Sequence, residues 1–136
     1  MKIFIYIVGI ITTIIIIIIT LPNIIITRSE PYRYSLSLLQ KNTDVKVYLG
    51  DNYSHVGLAR GSIRYSSKSN SGFANISYRL KGQNGVFLVH VAAEKKHGIW
   101  EYKKITFYTN LERNKFIDLL KSFWVLQANI SIQKNW

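Results

Sequence analysis

The segment KGQNGVFLVHVAAEKKHGIW (residues 81–100) places two turn signals around one strand-like run. KGQNG and KKHG have the lengths and residue types of β-hairpin loops. Between them, alternate residues from Phe87 to Ala93 are apolar, and so is the opposite set from Val86 to Ala92 apart from His90. Two apolar faces are typical of a central strand that is covered on each side. The segment therefore predicts a sheet with this run in its middle.

Three further runs change polarity with a period of two, and each begins at a glycine: GSIRYSSK (61–68), GFANISYRL (72–80) and GIWEYKKITFY (98–108). SNSG forms a third turn signal between the first two of them. Consecutive strands joined by short turns usually pair, so we predict an antiparallel meander of four strands. The sequence leaves residues 111–123 open between a helix capped by Asn110 and a turn followed by a strand over KFIDLL. WVLQANISIQ (124–133) alternates like one more strand.

Residues before the sheet carry helix signals. Ser29 is a capping residue, Glu30 is an acid for the first turn, and Pro31 fits that turn because its missing N–H is not needed there. Asn42 to Asp44 indicates a break and a second cap, and Gly50 a helix end. The apolar stripe comprises Tyr34, Leu38, Leu39, Val45 and Leu49. The predicted fold class is α+β: an N-terminal transmembrane helix, then one or two short helices packed on an antiparallel β-meander of four to six strands.

The N-terminal run from Ile3 to Ile26 contains no charge, and fourteen of its residues are isoleucine. A helix of about 20 such residues crosses a bilayer, and a helix is the form in which one segment satisfies its own backbone in lipid. We expect Pro22 to kink or end this helix. A signal peptide has a shorter apolar region of about 7 to 15 residues, so a retained anchor is favoured. The predicted division is 1–27 for the anchor and 28–136 for the domain.

The charge balance is strongly basic, with a formal net charge of +11. Such a charge favours acidic partners, anionic lipid or nucleic acid. The cations are scattered, however, and only Lys95-Lys96 and Lys103-Lys104 are adjacent, which indicates solvated charge rather than a dedicated polyanion site. The chain has no cysteine and its one methionine is Met1, so a copper chaperone would have histidine as its only ligand type, which argues against that role.

Three histidines raise the question of a metal or haem site. His90 and His97 lie seven residues apart across a predicted turn, and His55 lies in a predicted loop. A metal site needs about three converging ligands, whereas this spacing favours a packing histidine at 90 and a turn histidine at 97. We therefore expect no metal and no cofactor. No serine lies in a nucleophile-elbow motif and the acids are few, so we expect no catalytic residue and no enzyme activity.

The best candidate site is the cluster Trp100, Tyr102, Lys103 and Lys104. Aromatic side chains beside basic ones can hold a peptide or a nucleic acid. A domain outside the cytoplasm would not meet nucleic acid, which leaves a protein partner. The alternative is that Trp100 opens a strand and belongs to the core.

The order of these signals resembles the cytochrome oxidase complex assembly protein 1 family. The resemblance covers about residues 34–108 and rests on Leu49-Gly50, on Gly61 to Ile63, on Gly72 to Ala74, on Gly82 with Gly85, on Ala93 with Lys95, and on Gly98 with Trp100. The chain departs from the family at Asp51-Asn52-Tyr53, where a proline usually follows the Leu-Gly pair.

The resemblance implies a non-enzymatic, membrane-anchored assembly factor for a terminal (cytochrome c) oxidase or a similar membrane complex. The implied partner is an oxidase subunit or assembly intermediate. The resemblance implies a domain on the outer face of an energy-transducing membrane, and the lack of a mitochondrial presequence favours the bacterial inner membrane, so we predict a single span with the C-terminal domain in the periplasm. The positive charges of Arg28 and Arg33 just after the span favour the alternative of a cytoplasmic domain. The alternative function is an extracytoplasmic haem- or metal-binding domain.

Overall fold

A computed structural model describes residues 1–109 and 115–121. It confirms the predicted fold class: an apolar helix and two short helices precede a five-stranded antiparallel sheet. The helices are α1 Lys2–Arg28, α2 Glu30–Lys41 and α3 Thr43–Leu49, and the strands are β1 Ser54–Ser66, β2 Ser71–Gly82, β3 Gly85–Lys96, β4 Ile99–Tyr108 and β5 Phe116–Asp118.

The first helix, α1, is long and apolar enough to cross a membrane, and its most hydrophobic window is not buried by the rest of the protein. Its threonine hydroxyls donate to carbonyls one turn back, as Thr12 does to Val8 at 2.8 Å, so they leave no unpaired donor on an apolar surface. Of the two effects expected for Pro22, a kink or a helix end, the helix end is wrong, because α1 continues to Arg28. A proline removes one ladder bond, and the turns on both sides keep theirs.

The two short helices begin and end where their capping residues predict. The Ser29 hydroxyl accepts from the Tyr32 backbone N–H at the start of α2. The Asn42 carboxamide oxygen accepts from the N–H groups of Asp44 and Val45, which restarts the chain as α3. Gly50 ends α3 with a φ of 74°, a conformation that residues with a Cβ rarely adopt. These caps fix the turn that lays both helices on one side of the sheet.

The strands form a meander in chain order from β1 to β5, with every neighbouring pair antiparallel. All three predicted turns connect strands. The predicted start of the first strand at Gly61 is wrong, because β1 begins at Ser54 and the expected spacer is largely strand. The strand contains a bulge over residues 57–59, where the register shifts between Val56 and Arg60. Because the bulge interrupts the alternation of buried and exposed residues, the sequence pattern does not indicate a strand here.

The helices α2 and α3 cover one side of the sheet, here called the helix face. The core lies between them, and its fully buried strand residues include Ile76, Tyr78, Val89, Val91, Ile105 and Phe107. The other side is called the outer face. The sequence correctly makes β3 central, but the expectation that β3 is covered on both faces differs from the structure. Val86, Leu88, His90 and Ala92 on its outer face are only half-buried.

Two glycines of the family pattern are required by close packing. A Cβ on Gly61, whose φ is 117°, would lie 2.0 Å from the carbonyl oxygen of Asn75 on β2. A Cβ on Gly82 would lie 2.3 Å from the carbonyl oxygen of Leu49, at the end of α3. Both positions bring two backbones together, so glycine is needed for β1 to pair with β2 and for α3 to reach the β2–β3 turn.

The open question after the meander is resolved in part. Residues Phe116–Asp118 of KFIDLL form β5, which pairs with Thr106–Tyr108 of β4. Residues 119–121 are helical. Asn110 and the predicted turn to Asn114 lie outside the described residues, and so does the predicted strand at 124–133. The division into 1–27 and 28–136 stays a prediction, although Ile26 of α1 already packs into the domain core.

Candidate docking groove and surrounding surfaces

The predicted cluster on β4 is divided between the two faces of the sheet. A register shift in the β3–β4 pair places Tyr102 opposite Ala93 and Lys104 opposite Ala92. Ala93 belongs to the helix face, and Ala92 to the outer face. Tyr102 and Lys104 therefore project to opposite sides, and the four residues do not form one continuous surface.

The aromatic members of the cluster pack within the domain. The Tyr102 ring stacks on Tyr34 of α2 at a centroid distance of 4.1 Å, and burial raises the pKa of the Tyr102 hydroxyl. Trp100 is half-buried rather than a core residue. The Lys95 ammonium lies 5.7 Å from the Trp100 ring and 4.5 Å from the Tyr65 ring, so this lysine joins two aromatic side chains across the sheet.

The basic members of the cluster are exposed. Lys103 pairs with Glu101 at 3.0 Å, and this carboxylate also lies 3.8 Å from Lys96. The Lys103 ammonium beside it lowers the pKa of Glu101. Exposed pairs of this kind contribute little to stability. Partner binding by Trp100, Tyr102, Lys103 and Lys104 stays a prediction.

The three histidines lie on different parts of the sheet. His55 is on the helix face of β1 opposite Leu80, and His90 is on the outer face of β3, where its ring nitrogen lies 2.7 Å from the Asn75 carboxamide oxygen. His97 lies in the β3–β4 turn with a φ of 51°. Within residues 1–109 and 115–121 no group of three histidine or acidic side chains could hold a metal ion.

His55 was assigned to a loop from the sequence; instead it takes part in a network of hydrogen bonds beneath α2. Its Nε2 lies 3.0 Å from the carbonyl oxygen of Gly57, so Nε2 carries the proton and Nδ1 accepts from the Tyr32 hydroxyl at 2.8 Å. Next to this pair the Tyr78 hydroxyl bonds the Ser35 hydroxyl at 2.6 Å. Burial raises the pKa of Tyr78 and of Tyr32, so both hydroxyls stay neutral and act as hydrogen-bonding groups.

A groove between α2, α3 and the segment that leads to β1 is the strongest candidate site. It has a volume of about 440 Å³ and is called the α2–α3 groove here. Leu39, Val45 and Leu49 are buried core residues that form its floor, and Leu36 and Tyr53 are half-buried at its sides. The complete lining is Leu36, Leu39, Gln40, Val45, Lys46, Leu49, Gly50, Asp51, Asn52 and Tyr53.

The groove continues along the end of the sheet. A second depression shares Asp51, Asn52 and Tyr53 with it and extends to Lys81 and Gln83 at the β2–β3 turn. The Gln83 backbone N–H donates to the Leu49 carbonyl at 2.9 Å, which holds the turn against α3. The rim therefore carries two ammonium groups, from Lys46 and Lys81, and one carboxylate, from Asp51. An apolar floor with a mainly basic rim fits a segment that has both apolar and acidic side chains.

The sequence did not predict this groove. Leu39, Val45 and Leu49 were predicted as a buried apolar stripe, and they are buried. A stripe in the sequence does not show that a groove remains beside these residues. Lys81 and Gln83 join the site through the packing of Gly82 against Leu49. The departure at Asp51-Asn52-Tyr53 was the available signal, because these three residues line both depressions.

Comparison with known proteins places this geometry in a family. The model of the family described as cytochrome oxidase complex assembly protein 1 matches residues 1–121. The match spans α1, the α2–α3 groove and all five strands. No curated protein and no solved structure gives a significant match.

Proposed function

Because the chain belongs to the cytochrome oxidase complex assembly protein 1 family, we propose that it is a non-enzymatic, membrane-anchored assembly factor for a terminal oxidase. The family match over most of the chain is the observation that carries this proposal. The family implies a role in cytochrome oxidase assembly. The proposal has three further parts: the membrane anchor, the way the domain contacts its client, and the compartment.

The anchor in this proposal is α1. Its 27 residues exceed the length of about 20 that a bilayer requires, and its surface is almost entirely isoleucine and other apolar side chains. Apart from Gly9 and a few threonines its surface is branched and apolar, so in this proposal the span holds the domain at the membrane and the domain supplies the specificity.

The proposed mode of contact is capture of a client segment in the α2–α3 groove. Leu36 and Tyr53 offer apolar surface, and Lys46 and Lys81 offer positive charge at the rim. We propose that the client is an oxidase subunit or assembly intermediate whose exposed segment combines apolar and acidic side chains. Such contact orients and protects a partly assembled subunit without any reaction step.

The proposed compartment is the bacterial inner membrane, with the sheet domain on the periplasmic side. Alkaline phosphatase fused to the C-terminus of the full chain tests the orientation, because this reporter is active only after export. Active fusions support the proposal. Inactive fusions, together with fluorescence from a matching cytoplasmic reporter fusion, would reverse the orientation.

The proposed contact is tested with two matched charge reversals in the tagged full chain. Lys46 lies on the groove rim and Lys41 lies outside it, yet both are exposed lysines in the last turn of a short helix. We expect Lys46→Glu to reduce recovery of oxidase subunits by about fivefold, since an exposed charge contributes about 1 kcal/mol or less. Lys41→Glu should recover them normally.

The same variants are compared in a strain that lacks the gene. We expect lower oxidase activity in that strain, restoration by the unmodified chain and by Lys41→Glu, and weaker restoration by Lys46→Glu. Normal oxidase activity without the gene, together with no oxidase subunit in the pull-down, would reject the assembly role. Equal effects of the two reversals would reject the groove as the contact while leaving the role intact.

A further inference from the structure

The bulge in β1 is fixed to the end of the apolar helix. The Ala59 backbone N–H donates to the side-chain oxygen of Asn23 at 2.7 Å. From Ile3 to Leu21 the helix rises about 29 Å at 1.5 Å per residue, close to the thickness of the hydrocarbon core. Asn23 therefore lies where α1 would leave the hydrocarbon on the domain side, and Ala59 lies at the same level.

Leu58 precedes Ala59 and remains 47% exposed, beside the residue that is bonded to the apolar helix. Gly57, with a φ of 71°, turns the chain outward before it. The segment is held on both sides of Leu58: the carbonyl of Gly57 accepts from His55 Nε2, and the N–H of Ala59 is bonded to Asn23. Hydrogen bonds on both sides therefore hold the bulge that carries Leu58.

The charges around this loop are positive. Arg60 is exposed directly after the bulge, and Arg28 and Arg33 are exposed just after the apolar run. Glu30 lies between the two helix arginines, but the chain contains no acidic residue from 52 to 93. Anionic lipid headgroups attract basic side chains at this depth, while apolar side chains enter the boundary between headgroups and acyl chains.

We propose that residues 57–60 form a second membrane contact, in which Leu58 enters the lipid interface and Arg60 binds the phosphate groups of anionic lipids. The proposal rests on the anchoring of α1 proposed above. Its consequence is that the edge strand β1 lies against the bilayer, so the sheet domain has a defined orientation and does not swing freely on its helix.

The absence of native cysteine allows a direct test in the full chain. Leu58→Cys, Ile99→Cys and Ile15→Cys are each labelled with a nitroxide and reconstituted in nanodiscs that contain phosphatidylcholine and phosphatidylglycerol. All three residues are exposed, at 47%, 70% and 50%, so labels are tolerated. Ile99 begins β4 at the far end of the sheet, and Ile15 is in the middle of α1. Power saturation compares collisions with oxygen, which enters lipid, and with a water-soluble nickel chelate.

We expect the ratio of oxygen to nickel accessibility to be highest at position 15, several-fold lower at position 58, and lowest at position 99. Equal ratios at 58 and 99, with a high ratio at 15, would overturn the second contact and leave the anchor intact. A low ratio at 15 would overturn the anchor itself, so the two failures are distinguishable.

The role of Arg60 is tested by adding Arg60→Gln to the Leu58→Cys chain. We expect the ratio at position 58 to rise when phosphatidylglycerol replaces part of the phosphatidylcholine, and this rise to be smaller with Arg60→Gln. An identical rise in both chains would overturn the assignment of Arg60 to the lipid phosphates.

Discussion

The helix face and the outer face of the sheet are built from the same strands but differ in burial. On β2, Ile76, Tyr78 and Leu80 are buried beneath the helices, and Ser77 and Arg79 alternate with them on the other side. Because side chains alternate along a strand, β2 supplies the core and a polar surface at once, whereas the outer face of β3 is mostly apolar and half-buried. Stability and surface charge can therefore be changed separately at neighbouring positions.

Polar groups follow the same division. On the helix face, the buried hydroxyls of Tyr78 and Ser35 are neutral and hydrogen-bond each other at 2.6 Å. The ion pairs between described residues involve only Glu94, Lys96, Glu101 and Lys103, whose side chains are 46–54% exposed near the β3–β4 turn. The core thus avoids the desolvation cost of charge, and the charged groups remain available for partners.

The largest contrast is expected for two leucines on neighbouring strands. Leu80 on β2 is buried on the helix face, and Leu88 on β3 is half-buried on the outer face. Leu80→Ala should lower the free energy of unfolding by about 2–5 kcal/mol, because it leaves a cavity in a packed core. Leu88→Ala should cost less than half as much. Urea titration of the full chain in detergent micelles, followed by circular dichroism, measures both, and equal losses would contradict the difference between the faces.

A substitution at the β1 edge of the sheet is expected to have an intermediate effect on stability. Asn23→Ala removes the only side chain in the described residues that bonds the Ala59 N–H, and an unpaired buried donor costs about 1–3 kcal/mol. Exchange of the Ala59 amide hydrogen, measured by NMR in micelles, should accelerate. Thr20→Ala serves as the control on the same helix, since the Thr20 hydroxyl bonds its own helix backbone. Unchanged exchange at Ala59 in Asn23→Ala would show that this bond does not hold the edge.

A pH dependence is expected from the helix face. Burial raises the pKa of Tyr78 above the ordinary tyrosine value, which is about 10. The unfolded chain then loses this proton at a lower pH than the folded chain, so the stabilisation is complete below about pH 10 and declines above it. The slope for one such group is about 1.4 kcal/mol per pH unit.

Tyr78→Phe isolates this group. Ser35 keeps its bond to the Tyr32 carbonyl at 2.7 Å, so the variant should lose only about 1 kcal/mol at neutral pH. Its unfolding free energy should fall less steeply between pH 10 and 11 than that of the unmodified chain. Identical slopes in urea titrations at these pH values would contradict the role of Tyr78.

Local signals were enough to predict most of the fold. Ser29 and Asn42 cap the starts of α2 and α3 with their own side chains, and Gly50 ends α3 through its positive φ. The hairpin turns likewise depend on a few adjacent residues. The start of β1 depends instead on a bulge that Asn23 stabilises from a distant helix. The alternation of apolar and polar residues does not show that contact, so the start of β1 was predicted seven residues too late.

The candidate site was harder to predict for the same reason. Trp100 to Lys104 look like one cluster in the sequence, but the shift in the β3–β4 register separates Tyr102 from Lys104. The depression that continues the α2–α3 groove gains Lys81 from a strand that follows α3 by about thirty residues. Adjacency along the chain therefore overestimated one site and missed the other.

The smallest effect on stability is expected for the arginines of the outer face. Arg79 is exposed between Val56 and Leu88 on the neighbouring strands, and the β1–β2 hairpin to which it belongs carries no acidic residue. Arg79→Gln should change the free energy of unfolding by less than about 0.5 kcal/mol, because an exposed charge without an opposite partner contributes little. Repulsion from nearby cations should make the change neutral or slightly stabilising at low salt, and urea titrations at low and high salt measure it. A loss comparable to that of Leu80→Ala would mean that the outer face supports the fold as strongly as the helix face does.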